Sequence, residues 1–307
     1  MDIVKRTNTH YKNYFICLII IVLSLPANSI AQQKDTSTLL LASAKIKNEP
    51  FYFIQQPNVI FPEILKGNEA KTFDYITSFS NKKRNYLVHL FNKSKKVLPK
   101  VKSILKKNNL PEELGIIMLM ESDCNANALS KAGAVGYWQI MDVVAKEYGL
   151  NYVPKLCAEE KKQLALLDAK KIALFYNARA KRKDDRKNFS KSTLTAAHYL
   201  QDRQSTLGKN WLLIVASYNC GIGNVKKAIR KSGKTNPDFW DIRNFLPTET
   251  QAYVLNFITL SVIYHNYENF NNNNLNFKAV KILMPDNFER IQTEVSGPSS
   301  INSYIQK

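Results

Sequence analysis

Apolar residues recur at helical spacing along most of this 307-residue chain, and strand-like alternation is nearly absent before residue 277. Recurrence every three or four residues places apolar side chains on one face of a helix, whereas a strand needs strict alternation. Lysines separate the apolar positions between residues 73 and 107, which predicts amphipathic helices with solvated basic faces. Helical patterns continue over 158–182 and in the apolar segments WLLIVASYN and YVLNFITLSVIYH. The chain is therefore expected to be all-α.

Local signals mark where some of these helices begin and end. Gly221 follows WLLIVASYN and is expected to end that helix. Thr248 and Gln251 have the spacing of a capping box, which predicts that they open the next apolar helix. Beyond residue 268 the chain turns to an Asn-rich linker and a tail with one short alternation, FKAVKIL. The chain is therefore expected to divide into four segments: an N-terminal segment 1–31, a lead-in with amphipathic helices over 32–107, the main helical domain over 108–268, and the linker and tail over 269–307.

Glu121 is an acidic residue on an otherwise apolar helical face. The helix is expected to begin after Leu110, with Pro111 at its first position. One face then carries Leu114, Ile117, Met118 and Glu121. A carboxylate among buried side chains needs a partner or acquires a raised pKa. Glu121 is therefore the first candidate for a functional residue.

The first 31 residues have the three parts of a secretory signal. Basic residues precede the apolar run YFICLIIIVLSL, and small residues follow it up to Ala31. Cleavage there predicts a mature chain from Gln32 in the periplasm or cell envelope, and an uncleaved anchor is the alternative. The formal net charge of +19 favours an anionic cell wall or membrane surface as partner. Nucleic acid is not expected, because exported proteins rarely meet it and no nucleic-acid motif is present.

The cysteines, histidines and glycines argue against several kinds of site. Three cysteines lie beyond residue 31, an odd number that excludes a fully paired disulfide scaffold. Cys124 and Cys220 are either bonded to each other or buried as small apolar thiols. The histidines are scattered and HExxH is absent, so no metal site is expected. CGIGNVKKA lacks the third glycine of a dinucleotide loop and follows a helix, so no nucleotide cofactor is expected.

The remaining polar side chains suit a carbohydrate, whose hydroxyl groups need amide and hydroxyl partners. A glycosidic oxygen is a poor leaving group until it is protonated, and burial allows a carboxyl group to hold the required proton near neutral pH. Glu121 is suited to this role. Asp123, the nearest second carboxylate in sequence, lies at i+2 and points elsewhere on the helix. A site with one carboxylate remains workable if the substrate supplies its own nucleophile.

Three ordered motifs resemble those of the lytic transglycosylases, a family that cleaves bacterial peptidoglycan. The first is LPEELGIIMLMES followed by NANALSKAGAVGYWQIM, and the second is WLLIVASYNCGIGNVKKAI. The third, FWDIRNFLPTETQAYVLNFI, is most typical of the membrane-bound D-type members. The resemblance covers about Phe73 to His265. It implies a lysozyme-like, goose-type catalytic domain over 108–268, with a helical N-terminal extension and a short, poorly structured C-terminal tail.

The resemblance also implies roles for individual residues. Glu121 protonates the glycosidic oxygen between N-acetylmuramic acid and N-acetylglucosamine, then accepts a proton from the muramoyl 6-hydroxyl, which closes a 1,6-anhydro ring. The partner is the peptidoglycan glycan strand, and no cofactor takes part. The substrate-binding residues are Ser130, Gln139, Tyr218, Asn219, Glu249 and Tyr253. Some of these have a purely structural alternative: Ser130 capping a turn, Glu249 favouring a helix N-terminus, and Tyr253 packing.

The sequence departs from the family pattern mainly at packing and loop positions. The departures are Cys124, Ala126, Tyr137, Asp142 and Cys220. Asp142, for example, stands where the family has a proline.

The leading functional hypothesis is a lytic transglycosylase. A muramidase of the same fold, in which water attacks, is a second hypothesis, and a non-catalytic peptidoglycan-binding protein is a third. A fourth hypothesis, a basic nucleic-acid-binding protein, is supported by the net charge alone.

Overall fold

Helices make up nearly all of the regular structure in residues 52–283, the part of the chain that the computed structural model describes. The exceptions are two strands, β1 (Tyr52–Gln55) and β2 (Val280–Leu283), which pair antiparallel with Tyr52 opposite Leu283. Strand β2 falls within the FKAVKIL alternation. The all-α class is confirmed, with this short sheet as an addition to it.

The thirteen α-helices of the described residues follow one another with short connections. They are α1 (Glu69–Lys82), α2 (Arg84–Ser94), α3 (Leu98–Lys107), α4 (Ile116–Ser122), α5 (Asp142–Glu147), α6 (Ala158–Ala165), α7 (Ala169–Ala180), α8 (Phe189–Leu207), α9 (Trp211–Cys220), α10 (Ile222–Ser232), α11 (Phe239–Ile242), α12 (Thr248–His265) and α13 (Tyr267–Asn271). Four 3-10 turns accompany them: Glu63–Leu65, Glu112–Gly115, Asp185–Lys187 and Arg243–Phe245.

Helix α12 lies at the centre of the hydrophobic core. Ten of its residues are buried, and nine of them lie between Val254 and Ile263, where they cover all faces of the helix, as expected for a helix that is apolar all round. Helices α1, α4 and α9 pack against it. Because α4 and α9 carry the first and second motifs and α12 carries the third, this packing brings the three motifs together.

Helices α3 and α9 illustrate the two patterns recognised in the sequence. In α3, Leu98, Val101 and Leu105 are buried, whereas Lys100 is exposed and Lys102 is partly exposed, which confirms the amphipathic prediction. In α9, every residue from Leu212 to Ser217 is buried. Gly221 ends α9 with a φ of +81°, a conformation that glycine adopts without strain.

Two details of the helix ends differ from the predictions. Pro111 precedes a 3-10 turn, and the α-helix that carries Glu121 begins only at Ile116. The prediction of a capping box at Thr248 and Gln251 is wrong, because Thr248 is already helical and the residue before it, Pro247, provides no side-chain cap. Gln251 instead donates to the carbonyl oxygen of Leu246, 3.0 Å away.

The described residues all fall within one compact unit, which begins at Pro50. The predicted boundaries at residues 107/108 and 268/269 stay predictions. The predicted signal segment 1–31, and the tail beyond residue 283, lie outside the described residues. Within residues 52–283, no helix combines the length and the apolar character needed to cross a membrane.

Candidate active site

Glu121 lies in the last turn of α4, where the core meets solvent. The residues below it on the same face, Leu114, Ile117 and Met118, have no exposed surface. Glu121 itself is only partly exposed. Asp123 ends the helix in the left-handed conformation, with a φ of +49°. The apolar face identified in the sequence therefore carries the carboxyl group to the rim of the core.

Tyr253 of α12 holds the Glu121 carboxylate. Its phenol donates a hydrogen bond to Glu121 Oε1 at 2.5 Å. Burial raises the pKa of Glu121 from 4.5 to about 7; the hydrogen bond from Tyr253 opposes this rise, and the negative charge of Glu249 adds to it. An acid with this pKa is half-protonated near neutral pH, the condition that general acid catalysis needs.

Asp123 is engaged away from Glu121. Its Oδ1 accepts a hydrogen bond from the phenol of Tyr86 at 3.0 Å. The prediction that Asp123 points elsewhere agrees with this contact. Glu249 is exposed in the first turn of α12, one turn before Tyr253, and acts on Glu121 through its charge.

The second motif supplies Tyr218 and Asn219 at the C-terminal end of α9. The Tyr218 phenol donates to the carbonyl oxygen of Trp138 at 2.8 Å. Burial, together with the negative charge of Glu121, raises the pKa of Tyr218 well above its usual value. Asn219 Oδ1 accepts a hydrogen bond from the hydroxyl of Thr250 at 2.7 Å, which joins α9 to α12. Both side chains are partly exposed and thus available to a ligand.

Ser130 and Gln139 lie on the loop between α4 and α5. Ser130 Oγ accepts a hydrogen bond from the Ala134 amide at 2.9 Å. Gln139 has a φ of +47°, and its Nε2 donates to the carbonyl oxygens of Ala128 and Gly136 at 3.2 and 3.0 Å. In the described structure both side chains serve the loop itself, and neither hydrogen-bonds to Glu121. The turn-capping alternative for Ser130 thus matches its contact.

Three further contacts, two of this loop and one of α9, involve residues that the sequence analysis did not assign to the site. Ser122 donates from its hydroxyl to the carbonyl oxygen of Tyr137 at 2.8 Å. Trp138 is fully buried and donates from its indole nitrogen to Thr193 at 3.0 Å. Tyr199 packs edge-on against Tyr218 at 5.5 Å between ring centroids. None of these contacts has a signature in sequence spacing.

A buried arginine anchors the far end of the loop. Arg186 is 1% exposed and forms ion pairs with Asp142 at 2.5 Å and Asp184 at 2.7 Å. Burial alone would raise the pKa of Asp184, but hydrogen bonds from Arg186 and the Val153 amide hold it below its usual range. Asp142, which replaces the family's proline, is thus an ion-pair partner. This network is the main element that the sequence reasoning missed.

Gly136 fits closely against the same arginine. Its φ is +81°, and a Cβ atom there would lie 2.1 Å from the carbonyl oxygen of Arg186. Any side chain at this position would separate the loop from its anchor.

The thiols of Cys124 and Cys220 are free and half-buried, so the bond between them that the sequence left open is not formed in the structure.

Comparison with known proteins agrees with the motifs. The family model described as the transglycosylase SLT domain matches residues 101–240. Membrane-bound lytic murein transglycosylase D of Escherichia coli strain K12 is 33% identical over 168 residues, covering 54% of this chain and 31% of that protein. The chain thus spans just under a third of the length of this relative.

Two solved structures are also similar to this chain. The 70 kDa soluble lytic transglycosylase of Escherichia coli matches with a TM-score of 0.39 and 20% identity, covering 54% of this chain and 24% of that chain. An inactive mutant of the lytic transglycosylase Slt of Pseudomonas aeruginosa matches with a TM-score of 0.35 and 20% identity, covering 67% of this chain and 30% of that chain. Residues 101–240 of this chain are therefore similar to the transglycosylase SLT domain, in agreement with the motifs found in the sequence.

Proposed function

We propose that this protein is a peptidoglycan lytic transglycosylase that cleaves the β-1,4 bond between N-acetylmuramic acid and N-acetylglucosamine. Its product carries a 1,6-anhydromuramoyl end, and Glu121 acts first as acid and then as base. The observation that carries the proposal is the Glu121–Tyr253 pair: a partly buried carboxyl group with a pKa of about 7, held at 2.5 Å by a phenol.

The chemistry needs only one carboxyl group. The proton on Glu121 passes to the glycosidic oxygen as the bond from that oxygen to C1 of the muramoyl residue breaks. The carboxylate then removes the proton of the 6-hydroxyl while O6 bonds to C1, so that Glu121 regains its proton and no water is consumed. Asp123, occupied by the Tyr86 phenol, is not needed as a nucleophile.

Tyr253 has a positioning role in this proposal. A hydrogen bond to a carboxylate favours the charged form, so Tyr253 stabilises Glu121 after it has given up its proton. Burial works in the opposite direction and keeps the acid protonated at the start. The two effects leave the pKa of Glu121 close to neutrality, where both halves of the cycle proceed.

The substrate contacts are assigned to the partly exposed polar side chains around Glu121. Tyr218 and Asn219 supply hydroxyl and amide groups from α9. Ser130 and Gln139 are assigned to the sugar cleft through the loop, with Gln139 keeping its amide on the loop carbonyls and its oxygen available as an acceptor. Glu249 and Tyr253 extend the site along α12. The proposed setting is the cell envelope.

A hydrolase of the same fold is the second candidate, and Glu249 is the observation that favours it. An exposed carboxylate whose charge reaches Glu121 is a potential base for an attacking water. Such an enzyme yields a reducing end in place of the anhydro ring.

The test is digestion of purified peptidoglycan sacculi, with the products read by mass spectrometry. The chain from Gln32 is expected to release muropeptides that lack one water. Glu121→Gln should lower the rate by about 10²–10⁴-fold, the usual contribution of a general acid. Glu268→Gln, the same change at an exposed position on α13, should digest like wild type.

The products separate the candidates. Reducing-end products that disappear in Glu249→Gln would establish the hydrolase. Binding of sacculi without release by any variant would leave a non-catalytic peptidoglycan-binding protein.

A further inference from the structure

Helices α6 and α7 and the turn between them, residues 158–180, form a helical arm that has almost no buried surface. Leu164 is the single buried residue of α6, and α7 has none. A helix pair of a globular domain normally packs an apolar stripe against the core. Ile172, Phe175 and Arg179 form a half-buried stripe on α7, and the rest of that helix is exposed.

The base of the helical arm is held firmly. The Lys155 amide donates to Asp142 at 2.7 Å, and the Val153 amide donates to Asp184 at 3.2 Å. Arg186, which pairs with both aspartates, also donates to the Val153 carbonyl oxygen at 2.9 Å. The arm therefore begins at the same buried ion-pair network that anchors the loop of Ser130 and Gln139.

The tip of the helical arm combines exposed leucines with lysines. Leu166 is 86% exposed and Leu167 is 40% exposed, and Leu174 further along α7 is 60% exposed. The exposed lysines that flank the tip are Lys161, Lys162, Lys170 and Lys171. Among the described residues, only Lys171 of these four forms an ion pair, with Asp168 at 3.1 Å.

The helical arm and the residues on either side of it carry a strongly positive net charge. Residues 155–183 hold nine Lys or Arg residues and three Asp or Glu residues. Single exposed leucines are unremarkable, whereas adjacent exposed leucines at the tip of a helix pair form a candidate interaction surface. Exposed leucines flanked by four lysines and by Asp168 match the interface of an anionic bilayer, where leucines enter the acyl boundary and ammonium groups meet the headgroups.

We propose that the helical arm docks the protein on an anionic membrane surface, with Leu166 and Leu167 inserted and the flanking lysines on the headgroups. A glycan strand is a poorer occupant, because sugars pack on flat aromatic rings, whereas the tip carries leucines and the exposed ring of Tyr176 lies further along α7. A protein groove is also a poorer fit, since the leucines are surrounded on both helices by strongly hydrated ammonium groups. The inference does not depend on catalysis.

The test is cosedimentation of the chain from Gln32 with vesicles of pure phosphatidylcholine, or of phosphatidylcholine with about one-third phosphatidylglycerol. The chain from Gln32 keeps the entire compact unit that begins at Pro50 and lacks the apolar run of the predicted signal segment, which would itself bind lipid. Binding is expected to the anionic vesicles alone and should weaken as salt is raised to about 0.5 M. The double variant Leu166→Glu/Leu167→Glu should bind the anionic vesicles at least about tenfold more weakly than wild type.

Ile60→Glu is the matched control, because Ile60 is 61% exposed and far along the chain from the helical arm. It adds a negative charge at an exposed apolar position and should bind like wild type. Circular dichroism and digestion of sacculi should be unchanged in both variants, which separates loss of docking from misfolding and from failure of the proposed activity.

Three results would overturn the proposal. The first is no binding to anionic vesicles, or equal binding by the tip variant and wild type. The second is a concentration-dependent dimer that the tip variant abolishes, which would make the arm a contact between two copies. The third is that the tip variant, unlike wild type, fails to bind intact sacculi in the absence of lipid, which would make the arm a wall-binding element.

Discussion

The helices around Glu121 and the helical arm are built from the same kinds of residue, yet one group is buried and the other is exposed. Leu114, Ile117 and Met118 have no solvent-accessible surface, whereas Leu166 is 86% exposed. Helix propensity does not distinguish them, because leucine, alanine and lysine favour a helix in either place. What differs is whether another apolar face is available: α4 meets α12, and the helical arm has no such partner in the described structure.

The two regions meet at a buried ion-pair network. Arg186 forms ion pairs with Asp142, at the end of the loop that carries Ser130 and Gln139, and with Asp184, four residues beyond the helical arm. A buried arginine without its partners costs far more than an exposed one, because its charge is removed from water. The comparison teaches that burial, rather than helix formation, decides which residues carry the stability and the chemistry.

The largest expected effect comes from breaking the network between the two regions. Arg186→Met leaves Asp142 and Asp184 without their cation, and the free energy of unfolding should fall by about 3–5 kcal/mol. Lys171→Met, which removes the exposed pair with Asp168, should not change it measurably. Urea denaturation of both variants measures the difference, and similar midpoints would mean that the network contributes nothing beyond a surface pair.

The pH dependence of stability sharpens the contrast within the buried region. The folded state holds the Glu121 proton up to about pH 7, while the unfolded chain releases it near 4.5, so stability falls as pH rises between these values. Glu121→Gln cannot titrate, and above pH 7 it should exceed wild type by about 3 kcal/mol in free energy of unfolding. Below pH 4.5 the two should agree.

Denaturation across this pH range is the measurement, with Glu268→Gln as the control that should follow wild type. A constant difference between Glu121→Gln and wild type at all pH values would show that Glu121 titrates as it does in water.

Two variants next to Glu121 should have smaller effects, which shift the pKa of Glu121 in opposite directions. Tyr253→Phe removes a hydrogen bond that favours the carboxylate, so the pKa of Glu121 should rise further. Glu249→Gln removes a neighbouring negative charge, so the pKa should fall. A ¹³C titration of the Glu121 carboxyl group measures both shifts without relying on activity. Shifts of the same sign in both variants would contradict the assigned causes.

The smallest expected effect lies in the helical arm. Leu166→Ala removes a side chain that is already in water, so the free energy of unfolding should change by no more than about 0.5 kcal/mol. Ile117→Ala, in the apolar face below Glu121, should cost about 2–5 kcal/mol. Thermal denaturation compares the two. A large loss in Leu166→Ala would mean that the arm is buried in solution, against the structure.

The sequence predicted the elements that depend on local pattern. The amphipathic face of α3, the buried helix α9 with its stop at Gly221, and the apolar face that ends in Glu121 all follow from residue spacing and appear in the structure. Helix ends were less accurate. The stretch 158–182 is two helices because Asp168 caps the second through the Lys171 amide, and Pro247 rather than Thr248 precedes α12. At such ends, competing local hydrogen bonds differ little in energy.

The sequence named candidate site residues, and only the structure showed which of them lie in contact. The contact between Glu121 and Tyr253 was not predicted, and the functional roles of Glu121, Ser130, Gln139, Tyr218, Asn219, Glu249 and Tyr253 all stay predictions. The Tyr253–Glu121 contact joins residues 132 positions apart, and no spacing rule specifies such a pair. The Arg186 network was missed because its partners are distributed over separate segments, where each aspartate alone has the pattern of a solvated loop residue.

The sequence by itself determined that this chain is helical, which face of each amphipathic helix is apolar, and which carboxyl group lies on an apolar face, because these depend on periodicity within a few residues. Only the tertiary structure decided that α4, α9 and α12 converge on Glu121, that its pKa rises to about 7, and that the helical arm is left exposed. Those properties depend on which surfaces exclude water from one another, and that exclusion is set by contacts between residues far apart in the chain.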